Sequence, residues 1–205
     1  MITLRATGEN HQDPYRWALI RDLIPVAGRT RLRAELPPVQ RLARSVRARG
    51  GDKTYGMYVL PLLDRGRPTP ALDTVGPAWR DLVAAVENAS YRAWVHSVVG
   101  ADVGHSPLDI GVFVFGPGDW VSAHTDKPGK RATHVVYLNE SWGRRDGGEF
   151  EVRTDGDPRT LPHAVIVPGG GRSALFARSD NSWHAVAPVS RDAPDCRYTI
   201  QVEMW

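Results

Sequence analysis

Residues 197–205 read RYTIQVEMW, and the order of polar and apolar side chains in this stretch decides the fold. Successive side chains of an extended chain point to opposite faces, so Arg197, Thr199 and Gln201 share one face while Tyr198, Ile200 and Val202 share the other. Short β-rich runs of this kind recur upstream at intervals of roughly ten residues. They begin near Ile110, Val121, Thr133, Gly148, Ala164, Ser173, His184 and Arg197. Eight such runs read as an all-β sandwich or barrel. A double-sheet jelly roll braced by helices accommodates them.

The bracing is expected from the first hundred residues, which read as mostly helical. Asp13-Pro14 supplies a capping aspartate and a proline suited to the first helical position, with Trp17, Ile20 and Ile24 on one side. A second helix is expected from Pro38 to the Gly50-Gly51 stop. In it Val39, Leu42, Ala43 and Val46 recur at helical spacing and arginines occupy the other face. Thr54 to Leu63 reads as a strand, and Asp64 to Pro77 as a loop that could serve as a substrate loop. Pro77–Glu87 and Ser90–Val99 read as a helix pair ended by Gly100. There is no internal repeat or low-complexity tract, so residues 1–205 are expected to form one domain, with 1–100 as mostly helical support and 109–205 as the jelly-roll core.

Composition narrows the function classes. The 26 basic and 23 acidic residues leave a net charge of only +3, a weak field for a nucleic-acid partner. The arginines are spread along the chain, and the one dense segment, Arg41 to Arg49, has no interleaved aromatic residues on which bases could stack. Cys196 is the only cysteine, so no intrachain disulfide can form and a reducing compartment fits. No run is apolar and long enough for a signal sequence or a membrane helix, so a cytoplasmic location without membrane association is expected. The sequence offers no clear subunit interface.

Among the seven histidines, two sit in chemically suggestive contexts. His124 and Asp126 lie in VSAHTDKPG (121–129), where a spacing of two puts both side chains on one side of an extended chain close to a strand end. His184 lies far along the chain in NSWHAVAPV (181–189), at the start of another strand. Two histidines and one carboxylate are the ligand set of the facial triad, which binds Fe(II) and leaves coordination positions open. Arg197, on the last strand, needs an anion if it is buried, because a desolvated charge without a partner is costly. Its planar fork suits a carboxylate.

From Asp109 to Trp205 the chain resembles the Fe(II)/2-oxoglutarate dioxygenases, and within them the prolyl 4-hydroxylase-like branch. The resemblance lies in the order and spacing of FGPGDWVSAHTD, THVVYLNESW, GGEFEV, an apolar strand entering Pro168-Gly169 and leading to LF, then SWHAVAPV and CRYTIQVEMW. It implies a double-stranded β-helix, a jelly-roll variant, with Fe(II), 2-oxoglutarate and dioxygen as cofactor and co-substrates. Carried over by position, it assigns His124, Asp126 and His184 to iron and Arg197 to the distal carboxylate of 2-oxoglutarate. Tyr137 would donate its hydroxyl to the same carboxylate, and Thr199 would add a further contact. The chain departs from the pattern at Phe115, where the family usually keeps a tyrosine. Because Asp126 is present, the resemblance implies hydroxylation or another oxidative outcome rather than halogenation. A small-molecule substrate in bacterial natural-product biosynthesis is expected. The alternative is a protein prolyl hydroxylase acting on a translation factor or ribosomal protein.

Overall fold

All eight C-terminal runs are strands, and among the described residues they join five strands from the first hundred in one curled antiparallel sheet. The computed structural model describes Thr3 and residues 7–205. In chain order the elements begin with β1 (Gly8–His11), β2 (Trp17–Arg21), α1 (Val26–Ala34), β3 (Ala43–Arg47), β4 (Tyr55–Asp64) and β5 (Arg67–Pro68). The helix pair α2 (Pro77–Glu87) and α3 (Ala89–Val99) follows. Then come β6 (Leu108–Phe115), β7 (Val121–His124), β8 (Ala132–Tyr137) and β9 (Phe150–Val152). The chain closes with β10 (Ala164–Ile166), β11 (Arg172–Ala177), β12 (His184–Val186) and β13 (Arg197–Met204).

The strands run in the order β1-β2-β11-β8-β13-β6-β4-β7-β12-β9-β10, with β3 and β5 also paired to β4. Eight consecutive residue pairs join β13 to β6, whereas a single pair, Tyr55 with Val121, joins β4 to β7. The sheet folds over at that thin junction, bringing β7, β12 and β9 to face β13, β8 and β11 across a shared interior, the jelly-roll arrangement. The alternation of β13 then acquires its meaning. Ile200, Val202 and Met204 pack outward into the main hydrophobic core with the helices, while Arg197, Gln201 and Glu203 line the interior.

The helix pair forms where its apolar spacing predicts, burying Trp79, Leu82, Val83 and Val86 from α2 and Tyr91, Val95 and Val99 from α3. Asn88 caps α3 by accepting from the Ser90 amide, and Gly100 ends it in the left-handed conformation at φ 69°. Trp79 is fully buried, and its indole donates to the Leu32 carbonyl at 2.9 Å, tying α2 to α1.

Two expected helices are instead strands. Trp17–Arg21 is β2, because its apolar run pairs with β11 along five residues, and an apolar run this short fits either element by periodicity. Ala43–Arg47 is β3, an outer strand against β4 whose arginines leave the edge charged, which discourages pairing with other chains. The helix that does form early, α1, has weak apolar periodicity. It is anchored by tertiary contacts, with the buried Arg29 making a two-pronged ion pair with Glu140 at 2.8 Å on each arm. No helix among the described residues is long and apolar enough to cross a membrane.

Candidate active site

The register of β7 against β12 sets His184 directly opposite His124, with ring centroids 4.3 Å apart. Asp126 follows β7 by two residues and turns back toward both rings. One ligand atom from each of the three lies within 4.8 Å of the other two, and all three residues are buried. Each imidazole is oriented in the same way: His124 Nδ1 meets the Ser122 carbonyl and His184 Nδ1 meets the Ser182 carbonyl, both at 2.9 Å. A carbonyl only accepts, so Nδ1 carries the proton and Nε2 keeps a free lone pair, the form in which histidine ligates a metal. Burial drives both imidazoles below the usual histidine range, which keeps them neutral.

Asp126 is held by two donors. Lys130 Nζ reaches Oδ1 at 2.8 Å, and Thr133 Oγ1 donates to Oδ2 at 2.7 Å. Burial alone would raise this carboxyl, but His184 and Lys130, together with the hydrogen bonds from Lys130 and Thr133, outweigh it and hold the group below the usual range. Lys130 also pairs with Glu203 at 3.0 Å. Lys53 also reaches the triad, with Nζ 3.1 Å from His124 Nε2.

Deeper in the interior the chemistry changes. Arg197 is fully buried beside Phe115 and Tyr137, its guanidinium carbon 4.7 and 5.2 Å from their ring centroids. Among the described residues none of its three side-chain nitrogens has a hydrogen-bond partner, and neither has the Tyr137 hydroxyl. Burial pushes the Tyr137 phenol up to about 12, so it is a neutral donor at physiological pH. Phe115, lacking the hydroxyl of the family pattern, contributes the face of its ring to the guanidinium. Gly148, at φ 68°, lets the backbone pass close behind the arginine: a Cβ there would sit 2.9 Å from Arg197 Cδ. The hydroxyl of Thr199 donates to the Phe113 carbonyl at 3.1 Å. His134 bridges Tyr91 and Ser173 on the opposite face of β8, which makes it a structural residue.

An inner cavity of about 80 Å³ runs between the triad and Arg197, walled by Val121, Phe150, Phe176 and Val186. It opens on an outer cavity of about 290 Å³. The outer walls come from Arg47–Met57 and Thr125–Lys130, and not from the Asp64–Pro77 loop, which lies against β4. Sequence reasoning missed Lys53, Lys130 and Glu203. Only Glu203 carried a signal, since the alternation of β13 puts it on the Arg197 face.

The donor set fits a divalent iron: two neutral imidazoles with inward lone pairs, one ionised carboxylate, and, among the described residues, no fourth histidine, cysteine or carboxylate closing the group. The buried, unpartnered guanidinium with a phenol beside it fits the free end of a dicarboxylate.

Comparison with known proteins agrees. Residues 110–205 match the family described as the 2OG-Fe(II) oxygenase superfamily. Among curated proteins, prolyl 3-hydroxylase OGFOD1 of Xenopus laevis is 25% identical over 114 residues, covering 54% of this chain and 22% of that protein. The chain thus spans about a fifth of that relative's length. Among solved structures, a prolyl hydroxylase from Trichoplax adhaerens, in complex with a peptide fragment of hypoxia inducible factor, superposes with a TM-score of 0.66 at 18% identity, over 92% of this chain and 83% of that one. The α-ketoglutarate-dependent carbocyclase SnoK from nogalamycin biosynthesis superposes with a TM-score of 0.59 at 15% identity, over 92% and 78%. The family match thus falls on the C-terminal jelly-roll half, which carries His124, Asp126, His184 and Arg197, and is to a superfamily whose members use Fe(II), 2-oxoglutarate and dioxygen, while the solved structures share the fold.

Proposed function

We propose that residues 1–205 form a single-domain Fe(II)- and 2-oxoglutarate-dependent dioxygenase that oxidises a C–H bond of a small molecule in bacterial natural-product biosynthesis. The observation that carries this reading is one cavity with His124, Asp126 and His184 at its outer end and an unpartnered Arg197 at its inner end. In it the three outer residues hold the metal, and Arg197 with Tyr137 holds the distal carboxylate of the co-substrate. Thr199, engaged with the Phe113 carbonyl, supports the pocket wall and has oxygen lone pairs left to accept.

Bound there, iron and 2-oxoglutarate supply oxidative decarboxylation to succinate and carbon dioxide, coupled to cleavage of a substrate C–H bond. The protein's part is position and shelter. The Ser122 and Ser182 carbonyls fix the imidazole rings, Lys130 and Thr133 fix the carboxylate, and the apolar walls keep bulk water from the reacting carbon. The modest outer cavity suits a small substrate. The composition, with 23 arginines against 3 lysines, fits a GC-rich bacterial source.

A second reading, a protein prolyl hydroxylase, draws support from the likeness to prolyl hydroxylases, one of them peptide-bound. Succinate release with added Fe(II) separates the two when small-molecule extracts are compared with proline-containing peptides. Asp126→Ala is expected to abolish succinate formation and to lower metal content below one equivalent. Wild-type turnover in that variant would overturn the assignment.

A further inference from the structure

Lysine is scarce in this chain, yet all three lysines, Lys53, Lys127 and Lys130, line the outer cavity. Lys130 is consumed by Asp126 and Glu203. Lys53 and Lys127 form no ion pair with a carboxylate among the described residues, and neither does Arg47 on the same wall. Lys53 is the telling one. Its ammonium rests on His124 Nε2 at 3.1 Å, the lone pair that a metal on the triad would take. An imidazole nitrogen has one lone pair, and two cations repel, so Lys53 and a metal cannot both use it. Lys53 lines both the inner and the outer cavity, and its four-carbon stem lets the ammonium swing outward. There it would stand over the bound metal as a compact cation, with Lys127 and Arg47 nearby.

Resting on the oxygenase reading above, we propose that Lys53 receives an oxyanion of the substrate. The substrate is then a small molecule carrying a carboxylate or phosphate group, anchored at the cavity mouth so that a neighbouring carbon faces the metal. A flexible ammonium suits this task because it accepts an oxyanion as a point charge, without the fixed fork geometry that Arg197 offers deeper in.

The test uses the full chain loaded with Zn(II) and 2-oxoglutarate, which binds ligands without turning over. Calorimetric binding is compared for free L-amino acids against their amides, and for sugar phosphates against the free sugars. At least one acid or phosphate is expected to bind more tightly than its neutral partner, with weaker binding at high salt, and the better arm identifies the oxyanion. Lys53→Met is expected to lose about tenfold of that affinity and to erase the preference, whereas Lys53→Arg retains the preference and controls for folding. Equal binding of charged and neutral partners, binding of none of the charged compounds, or a preference unchanged in Lys53→Met would overturn the proposal. Failure of the oxygenase reading itself is seen separately, as absence of 2-oxoglutarate binding to the Zn(II)-loaded wild-type protein.

Discussion

Two cations buried in the same cavity are treated in opposite ways. At the outer end Lys130, its side chain 6% exposed, is held between Asp126 and Glu203, so its charge is paired within the protein. At the inner end Arg197 is more deeply buried still, yet its guanidinium lies beside two aromatic rings and has no hydrogen-bond partner among the described residues. A charge removed from water costs several kcal/mol unless it is paired. The protein meets that cost internally for Lys130 and, among the described residues, leaves it unmet at Arg197. In the proposed function the first cation positions a metal ligand, the Asp126 carboxylate, and the second receives the co-substrate. A third basic side chain, His134, shows the remaining solution: buried between two neutral hydroxyl groups, it is kept uncharged.

The contrast can be broken most sharply at Arg197. Arg197→Met should weaken 2-oxoglutarate binding by on the order of 10²–10³-fold, read by calorimetry on the Zn(II) form. Without co-substrate the same variant should melt no lower than wild type, because the residue it removes has no partner to orphan. A large loss of intrinsic stability would show that the guanidinium is structural. Lys130→Met should do the reverse. It leaves two carboxylates facing each other without their cation, so a loss of about 3 kcal/mol in a denaturant titration is expected even with no ligand present. Tyr137→Phe is a milder probe of the inner end. Removing one donor to the distal carboxylate should cost about 1 to 2 kcal/mol of co-substrate affinity, with metal binding unchanged.

The remaining effect concerns His134 and is one of pH. Burial lowers its pKa from the ordinary 6.5 to about 3, so between those values the unfolded chain takes up a proton that the native one refuses. Stability from this residue is therefore complete above about pH 6.5 and lost as the pH falls toward 3, the loss amounting to about 2 kcal/mol at pH 5. Denaturant midpoints measured between pH 7 and 5 should show a shallower decline in His134→Asn. Equal slopes would mean that other groups carry the acid sensitivity.

How much of this was legible beforehand differs between the halves of the chain. All eight C-terminal strands form where their β-rich runs stand, since a strand with one face in a core and the other in a cavity writes its period of two into the sequence. The helix pair α2 and α3 was equally plain. Trp17–Arg21 and Ala43–Arg47 were misread as helix, because what makes them strands is the partner, β11 for one and β4 for the other. The α1 helix was not visible at all, since its anchor is an arginine that reaches Glu140 far along the chain.

The sequence by itself determined the chemistry available: which residues can ligate a metal, which cation can meet a dicarboxylate, and which faces of each strand go together. Those are properties of side-chain type and of a two-residue repeat, both local. Only the tertiary structure decided that β7 and β12 lie in a register setting His124 against His184, that Arg197 has no hydrogen-bond partner among the described residues, and that the scarce lysines gather at the cavity mouth. Contacts between residues distant along the chain depend on how the sheet closes on itself, and no local pattern encodes that closure.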